Sequence, residues 1–249
     1  IHKLLAKKEI SCELLIINDN RQGNTNLTNN KIISFIKKTH LKNYFWHIYR
    51  YFFVRTSSNE KIDMSSYIKN VKKIHCKTFK KGKFSEYFTN SDINEIKNQH
   101  LDFILRFSYG IIRGKILDSA KYGIWSFHHD DEKKYRGGPP CFWEIYYNDN
   151  STGSILQRLT NKLDSGIILK KGFLKTQNSY MKNLQQMHYE SSNWPLQLCN
   201  DILNGKIEVF NAKPSNTQAN IYKAPSNFQL IKFLLKSNYR KLKNILNKL

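Results

Sequence analysis

No run of 18 or more apolar residues occurs in this 249-residue chain, and nothing at its start resembles a signal peptide with a cleavage site. Neither a membrane span nor secretion is therefore indicated. Cysteines are few: Cys12, Cys76, Cys141 and Cys199 stand far apart with no C-x-x-C pair. That spacing argues against a disulfide framework or a zinc site and fits buried free thiols in a reducing compartment, so the expected location is cytoplasmic. Acidic residues are scarce, 19 against 41 Lys and Arg, giving a net charge of +22. Such an excess ordinarily points to nucleic acid or an anionic surface. Here the lysines are spread along the chain, and no ribonucleoprotein, helix-turn-helix or zinc-finger signature accompanies them. An initial methionine is also lacking. The chain opens on a helix-like IHKLLAKKE before its first strand, SCELLIIN at residues 11–18. A doubly wound sheet normally begins with a strand and its turn, so the expectation is an N-terminus without its first strand; the alternative is a domain that starts on a helix.

What is present is ordinary for a soluble globular domain: 40% hydrophobic and 24% charged residues. Residues 31–38 read as a helix, and YFWHIYRYFFVR at 44–55 is either helix or strand by periodicity. KIHCKT at 73–78 reads as a strand. Asp92 with Glu95 has the spacing of a capping box. DFILRF at 102–107 is a continuous apolar strand of the kind buried on both faces of a parallel sheet. Helix-like GKILDSA leads from it to GIWSF, and a βαβ unit places the carboxyl ends of both strands at one edge. The loops SYGIIR and HHDDEKKYRGGPP then face each other. Strands are expected at 153–159 and 167–176, and a long helix at 180–203 interrupted at Pro195, with Trp194 packing it on the sheet.

The segment YGIWSFHHDDEKKYRGGPP, residues 122–140, delivers His128 from an apolar strand into a Gly/Pro-rich loop, and Asp164 follows in LDSGIIL. A carboxylate that fixes the tautomer of an imidazole makes a proton-transfer pair. Adjacent His129, Asp130 and Asp131 raise a metal as an alternative, but consecutive loop residues rarely converge on one ion, and none is expected.

G-I-W-S-F-H with YRGGPP, then S-T-G-S-I-L-Q-R-L and L-D-S-G-I-I-L, resembles the folate-dependent formyltransferase family over roughly residues 70–205. The family includes methionyl-tRNA formyltransferases and sugar N-formyltransferases. The resemblance implies a Rossmann-like, doubly wound and mostly parallel sheet lacking its first strand. It implies transfer of a formyl group from 10-formyltetrahydrofolate to a primary amine, most plausibly on an amino sugar or sugar nucleotide. His128 and Asp164 match the family's histidine and aspartate. Ser126 stands where the family has an asparagine, so it is carried as a third catalytic candidate. Tyr109, Gly110 and Ile112 match the region that lines the folate ring, and Arg136 with Gly137 the element beside the acceptor. The alternatives are methionyl-tRNA formylation, for which tRNA is the partner, and a catalytically weakened module that binds a glycan, an anionic lipid or another protein.

By this reading residues 1–205 form the catalytic domain and residues 206–225, with Pro214 and Pro225, a linker. Residues 226–249 form a basic amphipathic helix. Its stripe of Phe228, Ile231, Leu235, Leu242, Ile245 and Leu249 is flanked by cations alone. Such a helix suits an anionic membrane surface or docking to a further C-terminal domain.

Overall fold

The computed structural model describes residues 2–21, 41–56, 62–82, 84–107, 109–162 and 165–246. The expected helix at 31–38 lies outside them. In chain order the elements are α1 (His2–Leu5), β1 (Leu14–Asn18), α2 (Tyr44–Phe53), α3 (Ser65–Ile68), β2 (Lys72–Cys76), β3 (Phe79–Lys81), β4 (Ser85–Tyr87), α4 (Asn90–Lys97), β5 (Ile104–Leu105) and β6 (Ile111–Ile112). There follow β7 (Ile124–His128), β8 (Arg136–Gly137), α5 (Trp143–Tyr147), β9 (Ser151–Arg158), β10 (Ile167–Lys175), α6 (Tyr180–Ser191), α7 (Trp194–Leu203), β11 (Ile221–Tyr222) and α8 (Asn227–Leu246).

The architecture is mixed α/β. Strands β1–β2, β4–β6, β5–β7 and β8–β11 pair in parallel. The largest sheet has the order β10-β9-β7-β5 and is mixed, because β9 runs antiparallel to both β7 and β10. The described strands fall into four sheets, each of which contains a parallel pair. Strand β7 lies at the centre. Its pleat sends Ile124 to one face and Trp125 to the other, and each joins a separate apolar cluster. Ile124 packs with Ile74, Cys76, Ile96 and Ile116, and Trp125 with Leu156, Leu169, Trp194 and Phe210. Phe103 stacks on Trp125 at 4.0 Å, whose indole N–H donates to the Tyr122 carbonyl. Burying each such side chain is worth about 1.5–3 kcal/mol, which fixes β7 and the residues it carries.

Several expectations change in detail. The segment 102–107 gives a two-residue strand, although the Ile104 and Arg106 amides continue the ladder to the carbonyls of Gly123 and Trp125. GKILDSA is a single 3-10 turn at Lys115–Asp118, preceded by Gly114 at φ +87°. Helix α4 starts one turn before the expected capping box, because the Thr89 hydroxyl accepts the Asp92 amide. The helix expected at 180–203 is two helices: Pro195 occupies the first turn of α7, where its missing N–H costs nothing. Trp194 packs against Gly172 of β10, as expected. The aromatic segment is helical over Tyr44–Phe53, with Trp46 buried against Phe142 and Tyr180.

Residues 206–225 are not a free linker. Phe210 is buried in the Trp125 cluster, the Ser215 amide donates to the Gly166 carbonyl, the Thr217 hydroxyl donates to the Glu132 carbonyl, and β11 pairs with β8. The apolar character of Phe210 and Ile221 was too sparse to show periodicity, and only the fold supplies their partners.

Candidate active site

Ser126 and His128 are two residues apart on β7, so the pleat puts them on one side of the strand. The register with β9 sets Gln157 opposite Ser126 and Ile155 opposite His128. Ser126, His128 and Gln157 border a cavity of about 140 Å³ whose polar lining also includes Arg106, Arg113, Thr160 and Lys162. A smaller recess of about 10 Å³ lies against His128, Glu132, Arg136 and Gln157. His128 and Gln157 therefore stand between two openings.

The His128 ring is joined by a carboxylate from its own loop, with Nε2 3.9 Å from Asp130 Oδ2. Asp130 is buried, and its Oδ1 accepts the Cys141 amide at 2.8 Å. Burial, reinforced by the buried Glu144 carboxylate, raises the Asp130 carboxyl well above the usual range, and burial raises Glu144 likewise. His129 turns to the other side of the strand. Its Nδ1 lies 2.9 Å from Ser154 Oγ and its ring 4.6 Å from that of His188. Burial, with some help from His188, pushes its pKa down to about 3, so the imidazole is neutral. The loop that looks exposed in sequence is packed. Asp131 and Glu132 are buried and share Lys171 at 3.0 and 2.9 Å. Among the described residues no cluster of three or more His, Cys, Asp or Glu is arranged to hold a metal ion.

The structure brings Ser126, His128 and Ile112 to one cavity. Asp164 lies outside the described residues. Tyr109 and Gly110 do not border that cavity; their carbonyls accept from the Arg106 guanidinium, the Tyr109 hydroxyl donates to the Ile16 carbonyl, and the Gly110 amide donates to Glu86. Arg136 borders the smaller recess, with its guanidinium on the Ala219 carbonyl. Gly137 is needed by the backbone: with φ +93° and a prospective Cβ 2.2 Å from the Tyr222 carbonyl oxygen, it lets β11 approach β8. Sequence reasoning missed Arg106 and Gln157, and weighed Asp130 only as a metal ligand. A lone arginine inside the apolar run DFILRF was the available signal, because a cation on a buried strand requires partners.

The chain is 30% identical over 124 residues to the methionyl-tRNA formyltransferase of Rickettsia canadensis (strain McKiel), covering 49% of this chain and 39% of that protein. It is 31% identical over 88 residues to the enzyme of the same name from Prochlorococcus marinus (strain MIT 9215), covering 35% of this chain and 27% of that protein. The chain is similar to formyltransferases over about half of its length. It spans less than half the length of these curated relatives, and no family model matches it. Among solved structures, the N-formyltransferase from Helicobacter canadensis in complex with folinic acid and dTDP-3-aminofucose aligns with TM-score 0.41 and 16% identity over 84% of this chain and 70% of that one. Methionyl-tRNA formyltransferase from Clostridium thermocellum aligns with TM-score 0.40 and 17% identity over 64% of this chain and 63% of that one.

Proposed function

We propose that this protein is a formyltransferase that transfers a formyl group from 10-formyltetrahydrofolate to a primary amine carried by an amino sugar or sugar nucleotide. The observation that carries the reading is the placement of His128 at the end of a doubly buried strand, on the rim of a cavity and next to a carboxylate. The donor is consumed in the reaction, so it is a substrate. The residues fit it: Ile112, Phe127 and Leu159 give the cavity apolar walls for a flat ring, and Arg113 and Lys162 give it cations for carboxylates. His128 would accept the proton released by the attacking amine and pass it to the departing nitrogen. Asp164 would hold the imidazole in the tautomer this requires. Arg136, beside His128 in the smaller recess, would meet an anionic substituent of the acceptor through its planar fork. A second reading, formylation of methionyl-tRNA, is favoured by the name of the curated relatives and by the +22 charge.

The test is turnover of 10-formyltetrahydrofolate with a dTDP-linked 3-amino sugar or with methionyl-tRNA as acceptor, alongside calorimetric binding of 5-formyltetrahydrofolate. Formamide formation on the amino sugar is expected. His128→Asn should lower turnover by about 10²–10⁴-fold, the range of general acid–base catalysis, with binding of the folate analogue retained. Wild-type protein that binds no folate would overturn the reading, and turnover with methionyl-tRNA alone would transfer it to the second acceptor.

A further inference from the structure

Arg106 is one of two arginines that border the cavity, and its geometry reassigns the part played by Ser126. Arg106 follows β5, the strand paired with β7, and its amide is bonded to the Trp125 carbonyl, so its backbone is fixed beside Ser126. Its Nε donates to Ser126 Oγ at 3.2 Å, and its Nη1 donates to the carbonyls of Tyr109 and Gly110. The Gly110 amide is in turn held by Glu86 at 3.3 Å, so the turn that grips the guanidinium is itself tied to β4. Three neutral oxygens are among the partners that fix the plane of this permanent cation, which borders the same cavity as His128. Ser126 Oγ is an acceptor in this arrangement, and the hydroxyl's own contact is a long 3.4 Å approach to the Phe127 carbonyl.

We infer that Arg106 is a catalytic residue of the proposed transfer, supplying the positive charge for the negative charge that develops on the formyl oxygen, and that Ser126 is a positioning residue that orients it. The inference rests on the formyl-transfer reading. In that reaction the amine nitrogen forms a bond to the formyl carbon as the carbon–N10 bond of the donor breaks. The electron pair of the broken bond stays on N10, and the proton lost by the amine replaces the formyl group there; nothing is oxidised or reduced. Charge appears on the formyl oxygen only between bond making and bond breaking. A pre-oriented guanidinium therefore acts on the transition state more than on the bound donor. An uncharged amide would need no hydroxyl acceptor behind it; a guanidinium does, because its orientation is set through Nε.

The test compares the wild type with Arg106→Ala, Arg106→Lys and Ser126→Ala, using 5-formyltetrahydrofolate binding and turnover of 10-formyltetrahydrofolate with the dTDP-linked amino sugar. Arg106→Ala is expected to keep the far-ultraviolet spectrum and to bind the folate analogue within a few-fold of wild type, while kcat falls by about 10²–10³, the effect of losing one oxyanion donor. Added guanidinium ion should restore part of kcat in Arg106→Ala, whereas sodium should not. Arg106→Lys should stay low, because a lysine cannot use Ser126 and the two carbonyls as a planar fork can. Ser126→Ala should lower kcat with KM for the donor unchanged, and Ser126→Thr, which keeps the hydroxyl, should restore it. Unchanged kcat in Arg106→Ala, or a loss confined to folate binding, would overturn the inference while leaving formyl transfer intact. A wild type that binds 5-formyltetrahydrofolate but formylates no amine would overturn the parent reading and this one with it.

Discussion

Asn183 is the side chain whose loss would be felt most at the residue scale. It is fully buried and uses every direction it has: Nδ2 donates to the Cys141 carbonyl and to Thr152 Oγ1, and Oδ1 accepts from the Gln177 amide and Gln186 Nε2. Asn183→Leu removes all four partners at once inside the fold. With about 1–3 kcal/mol for each buried polar group left unpaired, a loss of at least about 3 kcal/mol in urea unfolding is expected; a loss below 1 kcal/mol would show that the neighbours re-pair among themselves. His129 makes a prediction in pH. Its pKa is about 3 in the folded protein, below the unfolded value near 6.5, so the unfolded chain binds the extra proton between those values. Its contribution is complete above pH 6.5 and is lost as pH falls toward 3. Asp130 and Glu144 are raised, so their contribution is present below their unfolded values and declines as pH rises through the folded ones. A stability maximum in mildly acidic solution follows, and His129→Gln should flatten its acid limb when melting temperature is followed against pH.

At the scale of elements, the segment 206–225 and the strands it meets deserve separate tests. Phe210 packs on Tyr122 at 4.7 Å and on Trp125 at 5.9 Å, which links this segment to the strand that carries His128. Truncating a core Phe costs about 3–5 kcal/mol, so Phe210→Ala should destabilise the whole domain by that order. A true linker would give no change in denaturant midpoint and early proteolytic cleavage within 206–225. Gly137→Ala addresses the β8–β11 pair from the other side. A Cβ 2.2 Å from the Tyr222 carbonyl oxygen, on a residue at φ +93°, forces the strands apart, and about 1–3 kcal/mol of backbone strain is expected in addition. Hydrogen exchange should quicken at Gly138, whose amide donates to that carbonyl.

Across the whole molecule, helix α8 is less separable than its amphipathic sequence implies. Leu230 and Phe233 are buried in the cluster around Trp46 and Phe142, with the Phe142 and Phe233 rings 4.7 Å apart. Asn227 bonds α2 through the Leu41 carbonyl and the Phe45 amide, and the Ser237 hydroxyl donates to the Asn178 carbonyl. Deleting residues 226–249 is therefore expected to lower the melting temperature of the domain and expose Trp46, read from a red shift in tryptophan emission. An unchanged melting temperature would show that the helix is an appendage. Phe228, Leu235 and Tyr239 are exposed on the same helix. Replacing Leu235 with Ser keeps the buried contacts, so it separates adsorption to anionic vesicles from folding; each cation near such a surface is worth about 1 kcal/mol.

By itself the sequence determined the strand that carries His128, the two long strands after it, the helical stretch interrupted at Pro195 and the family likeness. Each of these is written in local periodicity, turn residues or short motifs. It also determined that His128 and Ser126 share a strand face, because that depends only on a period of two. Which cation stands beside Ser126 was decided by tertiary structure, since Arg106 and Ser126 are twenty residues apart and meet only through the pairing of β5 with β7. The same holds for Asp130, which looks like a solvated loop carboxylate until the Cys141 amide and Glu144 close over it. Residues 206–225 acquire their partners from four distant elements, and no local pattern records contacts of that kind. Burial is a property of what the rest of the chain places overhead, and for these side chains only the folded molecule contains that information.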